Sequence, residues 1–570
     1  MNIKESMNLA GRNLLNILAA HRNYQPYWSI GVEEDYSAKM AWVGNIHNIG
    51  RWWDAMLRLE EATGFSIPTH IEKAMLENIR QAFDNRDNLC FPPLNHPWWI
   101  GINSGLPITD HPKIEFHSHR EGLLALNALV RYRDNDWARE QGHRMLETLF
   151  RITKPDCSWD MEKLDYYHRI GSPKVVQKRN PSVYELGINE FGTANVMTNG
   201  RLIEALVWFY EATGDDLALV MADKYARYHL EHTTSSDGEF NNSSNATHAH
   251  SYLGTLRGLF LFGKLTNQQE YIDRVAMTYK VTVSKMVYES GFSCHDLWRD
   301  NPYRGEVGST GDAVQLALWL AFYADHTELL DDVERIVKAR LLPAQILESP
   351  ELIPMEDEQT DEYYNSQRQG KVPMTNLTER IIGAIGGMQK YVQGGKRSVT
   401  DVTASALHTL VDVYNHIVTA NDIDITVYLH FDYEDENVNM KIERNEKAKV
   451  KIVAKDNKNV RIRIPKWIPR ESLIVKVNGQ SIDPVIIGDF IYIAKGDKPN
   501  TIVLIHELPT RKSKEKIGGV QATKFQKLLN QKFNEVRKTE EVEVEYTWKG
   551  DEIVGVYPNV DFFPFYPTSK

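Results

Sequence analysis

Titratable residues and glycines lie close together in one short stretch near the middle of the chain. Residues 290–312 read SGFSCHDLWRDNPYRGEVGSTGD, with glycines at four positions that predict turns or close backbone approach. Carboxylates held near one another shift each other's pKa values, which acid–base chemistry requires. The same stretch carries Phe, Leu, Trp and Tyr, which solvated loops rarely use. We therefore predict a catalytic pocket here rather than a surface loop.

Helices must position this segment, because helix-period apolar patterns recur from about residue 45 to about residue 420. The patterns pair into six hairpins: 49–62 with 70–83, 123–132 with 137–150, 202–213 with 216–232, 255–265 with 270–287, 313–324 with 329–342, and 381–392 with 402–419. A helical hairpin cannot bury its apolar face alone, so six of them predict an open solenoid or a closed (α/α)6 toroid. Long irregular loops between the hairpins favour the toroid, with the loops walling a pocket at one end.

The apolar period changes to two near residue 422. Segments such as ITVYLHFDY, KVKIVAK, VRIRIP and TIVLIHEL alternate apolar and polar residues, and VNGQ supplies an Asn478-Gly479 hairpin turn. The sequence thus predicts a barrel domain at 1–422 and a β-sandwich domain at 423–570, with a helical insertion near 512–537. Charged residues of the sandwich alternate outward as a solvated sheet face does, so we expect it to brace the barrel.

The composition of the chain argues against several classes of partner. Of 570 residues, 42% are hydrophobic and 25% charged, which is typical of a globular protein, and the net charge of −11 argues against a nucleic-acid partner. We find neither an 18-residue apolar run nor a signal peptide, so we expect no membrane partner and a cytoplasmic location. The three cysteines are far apart and form no CxxC motif, which argues against a disulfide framework or a cysteine-based zinc site. A homodimer is left open.

Short motifs in both parts together resemble the β-L-arabinofuranosidase family of glycoside hydrolases, family 127. In the β part, VRIRIPKWI, IVKVNGQ and YTWKGDEIVGVYP resemble the family's IPxW strand, VNG hairpin and WxGDxV strand. In the helical part, 248–258 matches the length of a motif that begins His-Ala-Asn and ends in Gly. Residues 290–298 resemble the family's Gly-Gly-x-Ser-x-x-Glu-x-Phe motif. Over about 190–560, the resemblance implies an (α/α)6 toroid with a sandwich, and a glycosidase that acts on a small oligosaccharide, such as an L-arabinofuranoside-like sugar.

The chain departs from this family at its zinc and cysteine positions. The family's Glu-Thr-Cys motif corresponds to Ser309-Thr310-Gly311 here, and its Cys-Cys pair corresponds to Val372-Pro373. Because every thiolate ligand is absent, we predict no metal and no cofactor, and carboxylate chemistry in place of a zinc–cysteine mechanism. Cys294 lies where the family has no nucleophile, and we expect it to pack as a small apolar residue.

Three carboxylates are the candidate catalytic residues. Glycoside cleavage needs one group that protonates the leaving oxygen and a second that activates water or attacks carbon. The resemblance places Asp296 at the family's proposed general acid/base, so Asp296 is our acid. For the second group we prefer Asp312, expected at the start of a helix where the dipole stabilises an anion, with Glu306 as the fallback. That Asp312 only caps this helix is left open.

Imidazole, aromatic and guanidinium groups near these carboxylates are the candidate substrate-binding residues. They are His248, His250, His295, Trp298, Tyr303, Arg304, Trp99 and His117. Two His-x-His pairs occur, but both open helical patterns, where residues two apart face different directions, so we favour pocket roles over metal binding. A uronate lyase that uses Tyr303 or a histidine as base, with Arg304 on the carboxylate, is an alternative. An isomerase and an inactive sugar-binding protein are further alternatives.

Overall fold

Twelve helices of seven or more residues lie within the described part of the chain. The computed structural model describes residues 2–32, 38–43, 46–94, 117–169, 193–241, 248–294, 297, 306–347, 376–386, 397–518 and 541–557. The helices are α1 Ile3–Asn16, α2 Ile46–Thr63, α3 Thr69–Phe83, α4 His117–Arg133, α5 Asp136–Ile152, α6 Leu202–Thr213, α7 Asp216–His232, α8 Ala249–Thr266, α9 Gln269–Thr278, α10 Val307–Tyr323, α11 Leu330–Ile336 and α12 Thr400–Asn415. Short helices also occur at Asp165–Arg169, Ser284–Met286 and Leu377–Ile381.

The even-numbered helices form a closed inner ring. Each packs against the next in the order α2, α4, α6, α8, α10, α12, and α12 packs back against α2. The odd-numbered helices lie outside this ring, each against the inner helix that follows or precedes it in the chain. Close approach within the ring depends on small residues: a Cβ at Gly50 of α2 would lie 2.0 Å from the carbonyl oxygen of Glu121 in α4. The predicted (α/α)6 toroid is confirmed.

Local sequence explains where the helices begin and end. Asn135 and Asp215 cap the first turns of α5 and α7 by accepting from backbone N–H groups. Gly214 ends α6 in the left-handed conformation, which glycine adopts without strain. Inner helices such as α6 are apolar on nearly every side, because the ring buries them on one face and the outer helices cover the other.

The sixth hairpin differs from its prediction. Residues 382–386, expected in a helix over 381–392, form turns and a bridge, and 387–392 lie outside the described residues. The helix that covers α12 from outside is α1, which also contacts α2. The N-terminal segment therefore completes the outer layer, and a helical hairpin formed by neighbouring segments was the wrong expectation there. A helix can find its partner at any distance along the chain once the ring closes.

Small strands cover part of the helical region. β1 Leu18–Ala19, β2 Gln25–Val32, β3 Ala38–Val43 and β4 Arg397–Val399 form one antiparallel sheet in which β2 pairs with the other three. This sheet joins the start of the chain to the segment that precedes α12, and so helps to close the ring.

Two larger sheets build the predicted β-sandwich. The strands are β5 Val418–Ala420, β6 Asp424–Val427, β7 Tyr433–Glu434, β8 Val438–Arg444, β9 Lys447–Ala454, β10 Asn459–Arg463, β11 Ile474–Val477, β12 Gln480–Ile482, β13 Val485–Ile487, β14 Phe490–Ile493 and β15 Thr501–Glu507. One sheet has the order β13-β14-β10-β6-β5 and the other β12-β11-β15-β9-β8-β7. Asn478 and Gly479 have positive φ between β11 and β12, as the predicted hairpin requires. The predicted fold class is confirmed, and the domain boundary at residue 422 stays a prediction.

A third sheet lies at the end of the described chain and corrects another prediction. β16 Thr510–Gly518, β17 Glu541–Lys549 and β18 Glu552–Tyr557 form an antiparallel sheet that we name the terminal sheet. Residues 512–518 were expected in a helix near 512–537, and they are strand; residues 519–537 lie outside the described residues. Alternating side chains of β16 explain the difference, because Ser513 and Glu515 are at least partly buried while Lys512 and Lys514 are exposed.

A buried ion-pair network joins the barrel to the β part. Lys338, just after α11, lies 2.7 Å from Glu334 and 2.8 Å from Asp551 in the turn between β17 and β18. Arg463 of β10 pairs with the same Glu334 and with Asp331. Removing one member of such a network would leave a buried charge without its partner, so these contacts fix how the two parts meet. Within the described residues, no helix is both long and apolar enough to cross a membrane.

Candidate active site

The amino-terminal halves of the inner helices bring polar side chains together at one end of the barrel, which we name the amino end. His47 and Arg51 come from α2, Arg120 and Glu121 from α4, Arg201 and Glu204 from the start of α6, His250 and Arg257 from α8, Asp312 from α10 and Asp401 from α12. All of these are buried. Carboxylates are favoured there by the positive ends of the helix dipoles. The ring thus has a polar interior at this end, built from all six inner helices.

Glu121 is the carboxylate at which three arginines of this network meet. Its carboxylate lies 3.2 Å from Arg51, 3.0 Å from Arg120 and 2.8 Å from Arg201. Burial alone would raise the pKa of Glu121, but the surrounding guanidinium groups and His47 hold that pKa well below its usual range. Glu121 is therefore a fixed anion that ties α4 to α2 and α6, and it is not available as a proton donor.

Glu204 and Asp312 carry the network across the ring. Glu204 accepts from Arg120 at 2.5 Å and lies 2.8 Å from Arg257. Arg257 also lies 2.9 Å from Oδ1 of Asp312 and donates to Gln315. Burial raises the pKa of Asp312, and the nearby guanidinium groups offset this only in part. The chain of alternating charges joins four helices without a break.

The partners of His250 decide its protonation state. Its Nε2 lies 2.6 Å from Nη2 of Arg51, a group that can only donate a hydrogen bond. Nε2 must therefore accept, and Nδ1 carries the proton that is donated to Asp312. Burial and the neighbouring Arg51 charge hold the pKa of His250 well below its ordinary value, so the ring is neutral. Asp312 thereby fixes the tautomer and the orientation of His250.

His248 and Glu306 form a pair at the edge of the network. Nε2 of His248 lies 3.2 Å from Oε2 of Glu306, and its Nδ1 lies 2.9 Å from Oγ of Ser251. The His248 side chain is 17% exposed whereas Glu306 is 4% exposed, so the imidazole is the more accessible member. Glu306 immediately precedes α10, and its side chain lies near Gly308 and His250. A carboxylate–imidazole pair beside solvent can take up and release protons.

A second carboxylate–imidazole pair lies across the amino end. Nε2 of His47 lies 3.1 Å from Oδ2 of Asp401, and its Nδ1 lies 3.6 Å from Glu121. Burial lowers the pKa of His47, although the two carboxylates oppose that shift. Asp401 has a lowered pKa, because its contacts with His47 outweigh its own burial. This pair is deeper than the His248 pair and joins α2 to α12.

The structure brings together only part of the predicted site. Asp312, Glu306, His248 and His250 are neighbours, and their predicted roles stay predictions. His117 begins α4. The other predicted site residues lie outside the described residues: Asp296, His295, Trp298, Tyr303, Arg304 and Trp99. Cys294 is buried in the hydrophobic core, and its expected role as a small packing residue stays a prediction.

One placement is corrected. The helix expected over 313–324 begins at Val307, so Asp312 lies in its second turn and cannot cap it. Asp312 is fully buried, with one oxygen on His250 and the other facing Arg257. The glycines at 308 and 311 suggested a loop, but a helix tolerates them because neighbouring helices approach closely there.

Sequence reasoning missed the arginine–carboxylate network. Arg51, Arg120, Glu121, Arg201 and Glu204 were not singled out. A signal was present: Glu204 lies in LIEALVWFY and Arg257 in YLGTLRGLFLF, charged residues inside helices that are otherwise apolar. Since burial of a lone charge is costly, such positions predict partners on neighbouring helices.

The zinc site of the resembling family does not fit this chain. In the corresponding motif of this chain, the Thr310 hydroxyl donates to the Gly291 carbonyl at 2.7 Å, Gly311 has no side chain, and Ser309 offers only a hydroxyl group. Val372 and Pro373 lie outside the described residues, and neither side chain has a ligating atom. Thiolate coordination is thus impossible with these residues. Among the residues that the structure describes, no group of three or more His, Cys, Asp or Glu could hold a metal ion.

Comparisons with known proteins find similarity in structure only. No protein-family profile and no curated protein matches the chain. Ara127N-Se, a GH127 β-L-arabinofuranosidase from Geobacillus stearothermophilus T6, is 9% identical over 89% of this chain and 88% of its own, with a TM-score of 0.47. The GH127 β-arabinofuranosidase BT3674 is 12% identical over 82% and 71%, with a TM-score of 0.48. An unsaturated glucuronyl hydrolase from Bacillus sp. GL1 is 12% identical over 72% and 94%, with a TM-score of 0.44. Two of these three are members of the family that the motifs resemble, and similarity of this size carries no argument about activity.

Proposed function

We propose that the chain is a glycoside hydrolase that cleaves a glycosidic bond in a small oligosaccharide. The observation that carries the proposal is the Glu306–His248 pair at the edge of the enclosed ion-pair network. It offers a carboxylate and an imidazole 3.2 Å apart, with the imidazole partly exposed to solvent. Glycosidic cleavage needs proton transfer at two points, and a carboxylate beside an imidazole supports one of them.

Glu306 takes the role of base or nucleophile in this proposal. Asp312 was our preferred residue for it, but its carboxylate is enclosed between His250 and Arg257 and has no exposed surface. A group that attacks carbon or activates water must reach the substrate. We therefore assign Asp312 to positioning, since it holds His250 in one tautomer, and Glu306 to the chemistry.

Asp296 takes the role of general acid. Its support is the resemblance of 290–298 to the family motif together with the apolar neighbours Leu297 and Trp298 in the sequence. Apolar surroundings favour the protonated carboxylic acid, whereas Glu306, at the first turn of α10, is favoured as an anion by the helix dipole. Two carboxyl groups with such different surroundings can divide the acid and base roles.

The substrate class rests on the resemblance, which implies an L-arabinofuranoside-like sugar. The test is hydrolysis of a panel of 4-nitrophenyl glycosides, which includes both anomers of arabinofuranose and neutral and acidic pyranoses. On the glycoside that is cleaved, Asp296→Asn and Glu306→Gln should lower kcat/KM by about 10²–10⁴-fold. Glu443→Gln, an exposed position in β8, is the control and should leave the rate unchanged.

Two results would count against this assignment. Near-full activity in folded Asp296→Asn and Glu306→Gln proteins would show that the site is elsewhere. Cleavage of a 4-linked uronic acid oligosaccharide to a product with a C4–C5 double bond, without release of 4-nitrophenol from the panel, would identify elimination instead of hydrolysis, because a lyase removes the C5 proton and breaks the C4–O bond.

A further inference from the structure

Three outer helices are followed by the same seven-residue turn. In each turn a residue bridges to the sixth residue after it: Thr153 to Trp159, Thr234 to Phe240, and Val287 to Ser293. The fifth residue of each turn has positive φ, at Cys157, Gly238 and Gly291. The three turns therefore share one backbone path. We name them turns A, B and C in chain order; each leads into the loop that reaches the next inner helix.

Turns A and B stabilise themselves. The fourth residue of turn A is Asp156, which accepts at 3.0 Å from the backbone N–H of Ser158. The fourth residue of turn B is Asp237, which accepts at 3.2 Å from the N–H of Glu239. Each is an aspartate that accepts from the N–H two residues ahead, which fixes a tight turn.

Turn C has Ser290 in place of the aspartate. The Ser290 hydroxyl makes the same local contact, because it accepts from the Phe292 N–H at 3.3 Å, and in addition a carboxylate reaches it from the terminal sheet. Oε1 of Glu515, in β16 of the terminal sheet, accepts from the Ser290 N–H at 2.7 Å. Oε2 of Glu515 accepts from the Ser290 hydroxyl at 2.6 Å. Both residues are buried, and hydrogen bonds to a buried carboxylate are among the stronger ones.

An apolar contact repeats the same difference. The sixth residue is Ser158 in turn A and Glu239 in turn B, neither of which is buried, but it is Phe292 in turn C. Phe292 is buried in a small cluster with Val544, Tyr546 and Trp548 of β17. Turn C is thus docked on the terminal sheet by one polar and one apolar contact, whereas the sixth residues of turns A and B make no such buried contact.

Turn C in turn holds the candidate catalytic residue. The backbone N–H of Glu306 donates to the Ser293 carbonyl at 3.1 Å, and Thr310 of α10 donates to the Gly291 carbonyl at 2.7 Å. Turn C is therefore tied to the residue that precedes α10 and to the first turn of that helix. A shift of about 1 Å at such a point is enough to cost a large part of the rate of a positioned reaction.

We infer that Glu515 is a positioning residue: through Ser290 and turn C, the terminal sheet sets the position of Glu306. The catalytic half of this inference rests on the proposed hydrolase function. The positional half does not, because it concerns only how turn C is held.

Hydrogen–deuterium exchange on the full-length protein tests the positional half. Glu515→Ala removes both hydrogen bonds that Ser290 makes to the carboxylate, and Ser290→Ala removes the one from the hydroxyl. Both variants should therefore speed amide exchange in 287–294 and 306–310, by about 10-fold or more for Glu515→Ala. Exchange in turns A and B should stay as in the unmodified protein. Glu543→Gln, which removes an exposed partner of Lys514 in the same sheet, is the matched control and should change neither region.

The outcomes separate clearly. Unchanged exchange in turn C of Ser290→Ala, or an equal increase across the whole barrel, would overturn the inference. Ser290→Ala removes one hydroxyl only, so it keeps the test valid should Glu515→Ala fail to fold. On a glycoside that the protein cleaves, Ser290→Ala and Glu515→Ala should each lower kcat about 10-fold with little change in KM. Glu515→Gln, which keeps an acceptor for the Ser290 N–H, should lower kcat less than Glu515→Ala does. Faster exchange with an unchanged kcat would overturn the catalytic half of the inference. A protein with no glycosidase activity would refute the proposed function, and the exchange result alone would then decide the positional half.

Discussion

The two ends of the inner ring are both polar, but they are built in different ways. At the amino end, charges from six helices pair across the ring, as when Glu204 joins Arg120 to Arg257. At the opposite end, which we name the carboxyl end, the pairs gather on one aspartate: Asp54 of α2 lies 2.8 Å from Arg58 in the same helix and 2.8 Å from His408 of α12.

Aromatic residues close the carboxyl end. The Arg58 guanidinium lies 4.8 Å from the ring centroid of Trp208, which makes an edge contact with Trp319. Trp319 in turn stacks on Phe260. Since all three rings are buried, this end is a packed core, whereas the amino end has the partly exposed His248 at its edge. The two ends thus differ in what fills them: packed aromatic rings at the carboxyl end, and paired charges beside a partly exposed imidazole at the amino end.

The largest expected effect is at the amino end. Glu204→Gln would leave Arg120 and Arg257 without a shared carboxylate in a fully buried position. Breaking a buried charge pair in this way should lower the free energy of unfolding by about 3–5 kcal/mol. Chemical denaturation measures this, with the exposed Glu443→Gln as control, for which we expect at most about 1 kcal/mol. Equal effects of the two changes would show that the network contributes no more than surface pairs do.

At the carboxyl end the corresponding loss should be smaller. Arg58→Met removes the guanidinium from Asp54, but Asp54 keeps His408 at 2.8 Å. We expect the free energy of unfolding to fall by about 1–3 kcal/mol, the range for a lost hydrogen bond to a charged group. The same denaturation assay tests it, and a loss larger than that of Glu204→Gln would reverse the proposed ranking of the two ends.

The contributions of Asp54 at the carboxyl end and of Asp312 at the amino end to the free energy of unfolding should change with pH in opposite directions. Burial raises the pKa of Asp54, but Arg58 and His408 outweigh it and hold that pKa far below its usual range. Its stabilising contribution is present above the unfolded value of about 3.9 and is lost as the pH falls further. Burial leaves the pKa of Asp312 raised, so its contribution is present below about pH 3.9 and is lost as the pH rises through its folded pKa.

Unfolding measured from neutral pH down to about pH 3 should separate these two signs. Below about pH 4, the free energy of unfolding of Asp54→Asn should fall less with acid than that of the unmodified protein. Asp312→Asn, compared with the unmodified protein, should be more stable at neutral pH than it is in acid. Parallel pH curves for the two variants would contradict the comparison.

The smallest expected change in stability concerns the edge of the amino end. A Cβ at Gly308 would lie 3.2 Å from Oε1 of Glu306 and 3.6 Å from Nδ1 of His250, a tight but tolerable fit. Gly308→Ala should change the free energy of unfolding by less than about 1 kcal/mol, because gain in helix propensity offsets the crowding. Activity on the cleaved glycoside should nevertheless fall, as the added methyl group displaces Glu306. A variant with full activity would place the chemistry away from this carboxylate.

Particular elements show how far sequence patterns reached. The first five hairpins were predictable, because each buries an apolar stripe on its immediate neighbour and the pattern needs no distant information. The sixth failed because α1, the helix that covers α12, lies nearly 400 residues earlier in the chain. Strand β16 was read as a helix because its lysines suggested a solvated helix face, and only its pairing with β17 shows the period of two.

For the candidate site, the sequence alone determined which residues could do chemistry: the carboxylates and histidines at 248–250 and 296–312, and the absence of thiolates at the positions where the resembling family has them. Only the tertiary structure decided which of them are enclosed by other charges and which lie beside an exposed group. Asp312 and Glu306 are six residues apart in one chain segment, yet Asp312 is enclosed by Arg257 while Glu306 borders the partly exposed His248. Burial and charge pairing depend on side chains from other helices, and no local pattern records them.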